Sequence, residues 1–317
     1  MQVINQEVTD RFSAYHADCV ELARLLPTES IDYSVFSPPF LSLYTYSNSE
    51  RDMGNSKTPD EFWVHFRFLI SELYRILKPG RNISVHCMNL PTSKQNHGYI
   101  GLQDFRGDII REFQKVGFIY HSEVTVWKDP VVAMQRTKAL GLLWKQIKKD
   151  SSMSRQGIPD YVVTLRKPGV NPKPVAHTPE EFPVSEWQQL ASPCWMDIKQ
   201  SNTLNRKAAR EEQDERHIAP LQLDLIQRCL RLWSIKDDVV FSPFMGIGSE
   251  GYVALGMGRK FVGVELKKSY FDLAVKNLHD ACNIKIDESS KFDIKTGIKQ
   301  PLESISDESK ISFEDVL

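Results

Sequence analysis

"DVVFSPFMGIGSEGYVALGMGRKFVGVE", residues 238–265, decides how this chain folds. An apolar run stops at Ser242-Pro243, passes through Gly246-Ile247-Gly248, continues as a helical stretch and closes with a second apolar run ending on an acid, Glu265. Strand, glycine turn, helix and strand make one βαβ unit, the crossover that joins neighbouring parallel strands. In such a unit Gly246 and Gly248 let a ligand approach the backbone, and the next helix offers free N–H groups. An acid about twenty residues on accepts hydrogen bonds from ribose hydroxyls. The glycines alone would equally serve a plain strand-to-helix turn; Glu265 at the end of the second strand favours an adenosine-type cofactor site.

Outward from this unit the alternation repeats. Residues 11–19, 31–36 and 82–87 predict strands, and the periodic stretches 20–27, 58–80 and 102–118 predict helices, the second stopped by Pro79-Gly80. Residues 120–127 and 159–167 predict two strands that can pair. Eight prolines then interrupt residues 128–217, most of which keep neither period, before helices resume at 219–234 and 269–281. Strands alternating with helices predict an α/β fold, a doubly wound and mostly parallel sheet covered on both faces. The expected organisation is a sheet domain from residues 1–127 and 217–283, an irregular insertion at 128–216, and a polar, weakly acidic tail at 284–317.

With 317 residues, 41% hydrophobic and 26% charged, and a net charge of −1, the composition is that of a soluble globular chain able to bury a sizeable core. No apolar run approaches the roughly 20 residues that cross a bilayer, and "MQVINQEVTDRF" lacks the layout of a signal peptide, so a cytoplasmic location is expected. The five cysteines are scattered and form no C-x-x-C, which argues against a disulfide framework or a zinc site.

A second apolar run ends in the same way: "YSVFSPPF", residues 33–40. It has no glycine and so cannot be a second nucleotide cradle. Consecutive prolines fix φ near −65° and donate no N–H, leaving the carbonyls of Ser37 and Pro38 displayed as acceptors. That suits a substrate with two donor hydrogens, such as an exocyclic amino group on a nucleobase. One hydrogen would meet the Ser37 hydroxyl and the other the Pro38 carbonyl, with Phe40 stacking on the ring. The plainer alternative is that Pro38-Pro39 ends a strand and Phe40 belongs to the core.

"SPPF" followed downstream by "SPFMGIG…VGVE" resembles the amino-methylating, S-adenosylmethionine-dependent DNA methyltransferases, in the permuted order where the catalytic motif precedes the cofactor motif. Ser37-Pro38-Pro39-Phe40 matches the catalytic motif at all four positions. The cofactor motif matches from Pro243 through Phe244, Gly246 and Gly248 to Ser249, with Ser242 where the family commonly has Asp. The resemblance implies a Rossmann-like methyltransferase sheet with Asp18 beside the cofactor's adenine. "RHIAPLQLDLIQRCL" resembles the helix over the methionine end, with His217 and Pro220 at the matching places. Ser242 implies either weaker cofactor binding or a compensating acid from elsewhere, since an acid here helps hold the cationic amino group.

The implied reaction needs an amino nitrogen in line with an activated methyl group and no covalent intermediate. Cys194 in "SPCW" follows a proline as the thiolates of cytosine-C5 enzymes do, but it lies in the irregular segment and is not expected to act as a nucleophile. A duplex base must be extruded to reach the site, and the insertion is the expected recognition element. From residue 136 to 173 there are nine lysines and arginines, including Arg136, Lys138, Lys145, Lys148, Lys149 and Arg155, against two acids. That excess is either a solvated face or a footprint for the phosphates of double-stranded DNA, and its place beside a base-modifying site favours the latter. Residues 41–60, with Tyr44 and Tyr46, suit a cover over a flipped base or a plain surface loop. Within the family Ser-Pro-Pro-Phe accompanies cytosine-N4 targets more often than adenine-N6, which favours cytosine. A non-catalytic DNA-binding protein and an RNA substrate are the weaker alternatives. A restriction-endonuclease partner and a monomer or homodimer are both compatible with the sequence.

Overall fold

The computed structural model describes residues 3–40, 52–56, 58–137, 140–205 and 220–286. Their strands are β1 (Asn5–Val8), β2 (Phe12–His16), β3 (Tyr33–Phe36), β4 (Asn82–Cys87), β5 (Leu90–Pro91), β6 (Leu102–Gln103), β7 (Ile119–Val126), β8 (Asp160–Arg166), β9 (Cys194–Trp195), β10 (Val239–Ser242) and β11 (Lys260–Glu265). The helices are α1 (Cys19–Leu25), α2 (Pro59–Ile76), α3 (Lys94–His97), α4 (Phe105–Val116), α5 (Pro130–Thr137), α6 (Lys145–Lys149), α7 (Val184–Leu190), α8 (Leu223–Trp233), α9 (Ser249–Gly256) and α10 (Lys268–Cys282).

Nine strands form one sheet in the order β1-β2-β11-β10-β3-β4-β8-β7-β9. The five from β2 to β4 run parallel, and β8 runs antiparallel to both of its neighbours. One core cluster joins Tyr33, Val35 and Val240 to α8, α9 and α10; the other joins Phe36, Ile83 and Phe241 to α1, α2 and α4. The sheet is therefore covered on both faces, and its near-continuous apolar strands follow from that burial.

The local signals explain α2. Thr58 caps it by accepting the Glu61 N–H, Pro59 occupies its first turn, and Phe62, Phe66, Leu69, Ile70 and Leu73 recur on one face and are buried. Each such side chain stabilises the fold by about 1.5–3 kcal/mol. No helix of the described residues is long and apolar enough to cross a membrane.

The chain leaves β3 through α2 to β4 in one direction and leaves β10 through α9 to β11 in the other. The β3–β10 boundary is thus the switch point, and ligands of such sheets bind at its carboxyl rim. On the opposite rim Asp32 accepts Lys78 Nζ at 2.6 Å and the Val239 N–H at 2.9 Å. The Arg81 guanidinium there reaches the Asp32 carbonyl at 2.6 Å and the carboxylate of the buried Asp238.

The insertion expected at 128–216 is too wide. β8 lies inside the sheet between β4 and β7, and β9 extends its edge. What leaves the sheet between β7 and β8 is a shorter excursion, residues 127–159, carrying α5 and α6. Prolines at 159 and 168 flank β8 and obscure it in the sequence. The later part of the segment is tied to α8: Arg228 pairs with Asp197 at 2.6 Å, Arg231 with Glu186 at 2.9 Å, and Asp224 accepts the Lys199 N–H at 2.8 Å. β1 is an addition to the expected strands, and α8 begins four residues later than the sequence pattern suggests. Of the tail only 284–286 is described.

Candidate functional site

The registers place five strand ends in one row. Glu265 pairs with His16. Continuing Phe241 beside Ser34 sets Phe244 level with Ser37, and continuing Phe36 beside Val85 sets Ser37 level with His86. A cavity of about 430 Å³ opens on this row. It is lined by Ser37, Pro38, Pro39 and Phe40 from the β3 end, by Phe244, Gly246, Ser249, Glu250 and Glu265 from the βαβ unit, and by Asp18 and Pro220. The two Ser-Pro motifs, some two hundred residues apart in the chain, therefore face a common space.

The same register separates the two serines. Ser37 stands at the rim, whereas Ser242 is level with Val35 inside the sheet, fully buried, with no hydrogen-bond partner for its hydroxyl among the described residues. Ser242 does not line the cavity, and neither does Gly248.

Gly246 and Gly248 have different reasons to be glycine. Both hold positive φ, +54° and +91°. A Cβ on Gly246 would meet nothing within 4 Å and would project where the cavity lies, whereas one on Gly248 would come within 3.3 Å of the Ala274 backbone in α10. Glu265 closes the turn: its Oε2 accepts the Gly246 N–H at 2.9 Å and its Oε1 the Lys267 N–H at 2.8 Å. Burial nevertheless raises this carboxyl to about 7, against the lowering effect of those two N–H groups. Glu250, in the first turn of α9, is raised to about 8, chiefly by burial and further by the Glu265 charge. Asp52 lines the same side. Asp18 uses Oδ1 to cap α1, accepting the Val20 and Glu21 N–H groups at 2.9 Å each.

On the other side, the Phe40 ring stands 6.3 Å from that of His86 and edge-on to Phe105 at 6.0 Å. It is both a cavity wall and a core contact, so the two sequence alternatives coincide. His86 was missed by the sequence reading. Its Nδ1 is 3.1 Å from Ser37 Oγ and its Nε2 is 3.1 Å from Asp160 Oδ2, while Lys128 Nζ pairs with Asp160 Oδ1. Burial alone would raise the Asp160 carboxyl; the neighbouring His86 and Lys128 outweigh it and hold it below the usual carboxylate range. The available signal was a histidine near the end of the apolar strand "NISVHC". Asp160 carried no signal, because only the antiparallel sense of β8 brings its first residue to this rim.

The basic residues divide. Arg155 lines the cavity, and Lys145, Lys148 and Lys149 are exposed on or beside α6. Arg136 falls in α5, while Lys138, His217, Tyr44 and Tyr46 lie outside the described residues. Three members of the counted excess belong to the opposite rim. Arg166 donates to the Gly80 and Gly169 carbonyls, Lys167 to that of Leu77, and Lys173 pairs with Asp238 at 3.3 Å. They are fold contacts and leave the phosphate footprint smaller than the count suggested. Cys194 sits in the edge strand β9, away from the lining residues.

Residues 31–276 match a family model described as DNA methylase, of the N6/N4 type. The chain is 23% identical over 290 residues to the DNA adenine methyltransferase YhdJ of Escherichia coli (strain K12), covering 87% of this chain and 85% of that one. It superposes on a DNA modification methylase of Thermus thermophilus, solved in complex with S-adenosyl-L-methionine, with TM-score 0.62, 21% identity, and 86% and 96% coverage. With the cytosine-N4-specific PvuII DNA methyltransferase the TM-score is 0.60 at 19% identity, covering 85% and 87%.

Proposed function

We propose, because the chain belongs to the DNA methylase family and is a DNA methyltransferase dependent on S-adenosylmethionine, that it methylates the exocyclic amino group of an extruded base, cytosine N4. The observation that carries this reading is the single cavity shared by the Ser37–Phe40 end of β3 and the glycine turn after β10.

The donor set fits the cofactor. The open space over Gly246 admits an adenosyl group, Glu265 is placed for ribose hydroxyls, and Asp18 stands beyond it. Asp52 and Glu250 are buried acids on that side, suited to a cationic ligand, and they offset the lack of an acid at Ser242. When bound, S-adenosylmethionine supplies a methyl group activated on a sulfonium, whose S–CH3 bonding pair stays with sulfur as the N–CH3 bond forms. The protein's part is orientation. Ser37 Oγ and the Pro38 carbonyl accept the two amino hydrogens, drawing the nitrogen toward a tetrahedral, nucleophilic form and stabilising its developing positive charge. Phe40 supplies the stacking wall. Double-stranded DNA is held by the 127–159 excursion through Lys145, Lys148, Lys149 and Arg155, with Arg136 and Lys138 in the same segment, and extrusion costs a few kcal/mol.

The choice of cytosine rests on Ser-Pro-Pro-Phe; the adenine methyltransferase among the relatives keeps adenine N6 as the second reading. Digesting DNA methylated by the purified protein to nucleosides and identifying the product by mass tests it. N4-methylcytosine is expected, and N6-methyladenine would overturn the cytosine assignment.

A further inference from the structure

Methylating an amino group leaves the nitrogen with a positive charge and one proton too many. In the arrangement proposed above Ser37 Oγ accepts an N–H from that nitrogen, so the serine's own proton must point elsewhere. The only described side chain within hydrogen-bonding distance of Ser37 Oγ is His86. We propose that His86 is a positioning residue that turns the Ser37 hydroxyl into an acceptor for the target amino group and takes up the proton this group sheds. The inference rests on the amino-methylation reading.

The geometry fixes the tautomer. Nε2 of His86 stands 3.1 Å from the Asp160 carboxylate, so in the neutral ring this nitrogen carries the proton and Nδ1 is left as an acceptor. Ser37 donates its O–H to Nδ1 across 3.1 Å, and its lone pairs turn to the cavity that Ser37, His86, Asp160 and Lys128 all line. As the N–H bond of the methylated nitrogen breaks, its proton passes to Ser37 Oγ and the original serine proton moves to Nδ1. The product is a neutral methylamino group, an unchanged serine and an imidazolium facing Asp160. The proton then leaves to solvent, and nothing is oxidised or reduced.

Among the described residues the titratable groups facing the ring are Asp160 from β8 and, through Asp160, Lys128 beyond β7; from β3 the ring meets Ser37, and Phe40 is uncharged. Protonation of His86 therefore has one consequence. Nδ1–H then donates to Ser37 Oγ and occupies the lone pair meant for the substrate, so the rate falls on the acid side.

The test is single-turnover transfer of a tritiated methyl group to unmethylated bacterial genomic DNA, which contains all short recognition sequences, measured across pH. In wild type an acid limb is expected. His86→Gln lowers the plateau rate by about 10²-fold, the scale of one proton-transfer group, and abolishes the limb, while S-adenosylhomocysteine binding by calorimetry is unchanged. Asp160→Asn reads the same relay without removing the ring: the amide favours the opposite tautomer and lowers the rate similarly. In a Ser37→Ala background, His86→Gln adds no further loss. An acid limb retained in His86→Gln, or losses that multiply in the double variant, overturns the relay while leaving methylation standing. A wild-type protein that binds S-adenosylhomocysteine yet transfers no methyl group to DNA overturns the amino-methylation reading and the relay with it.

Discussion

The carboxylate of Glu265 accepts the backbone N–H of Gly246 at 2.9 Å, tying the last residue of β11 to the turn that follows β10. One side chain thus shapes the glycine turn and stands at the cavity edge where ribose hydroxyls are expected. Glu265→Ala removes a charged hydrogen-bonding group worth about 1.5–3 kcal/mol, so S-adenosylhomocysteine affinity falls by about tenfold to a hundredfold in calorimetry. Because the carboxyl titrates at about 7, wild-type affinity rises with pH through neutrality, and Glu265→Gln flattens that rise.

Ser37→Ala and Phe40→Ala are expected to behave in the opposite way. Each removes a contact to the target base, one an acceptor and the other a stacking wall, so turnover on DNA drops by roughly two orders of magnitude, as when one oriented stabilising group is lost. Cofactor affinity stays near wild type. If these two variants lose cofactor binding and Glu265→Ala keeps it, the assignment of the two halves of the cavity is reversed.

Glu250 gives a stability prediction whose sign is opposite to that of a salt-bridged acid. Its folded carboxyl titrates at about 8, above its unfolded value, because burial penalises the charge. Between the ordinary carboxylate range and about pH 8 the folded state holds a proton that the unfolded chain has released, so stability falls as pH rises across that window. Glu250→Gln removes the titration. Its melting temperature relative to wild type should climb from about pH 5 to about pH 8 in the unliganded protein; a difference independent of pH would show that Glu250 is not buried as a neutral acid.

Replacing Lys145, Lys148 and Lys149 with Ala should weaken DNA binding almost uniformly across sequences. If all three meet phosphates, the slope of log affinity against log salt becomes shallower by about 2.7, from roughly 0.9 per contact. Filter binding at several salt concentrations reads it, and an unchanged slope would assign these lysines to a solvated face.

Much of this architecture was legible because it depends on local pattern. The unit from Val239 to Glu265 showed its strands, turn and helix in the order the fold uses, and the ends of β3 and β10 announced themselves by Ser-Pro. The antiparallel strand β8 was visible as a strand yet was assigned to the insertion, since nothing local tells a strand which neighbours it joins. The same limit hid Asp160 and made Lys167 and Lys173 look like phosphate contacts when they hold the opposite rim. The likeness of Ser37 and Ser242 misled for a related reason. Register is a property of paired strands, and two residues of offset turned one serine into a cavity wall and the other into a buried hydroxyl.

The excursion between β7 and β8 leaves and re-enters the sheet at adjoining points. β7 and β8 pair from Ile119–Arg166 to Val126–Asp160, and Lys128 then grips Asp160 across the neck. A loop whose ends are clamped by the ladder beneath it is insulated from the scaffold. Doubling its length costs only about 0.6 kcal/mol in closure entropy, and its contents can change without disturbing β4 or the rim. The segment between 129 and 159 is in that sense an exchangeable cartridge. Its socket is the Lys128–Asp160 pair, and that socket touches the catalytic row through His86.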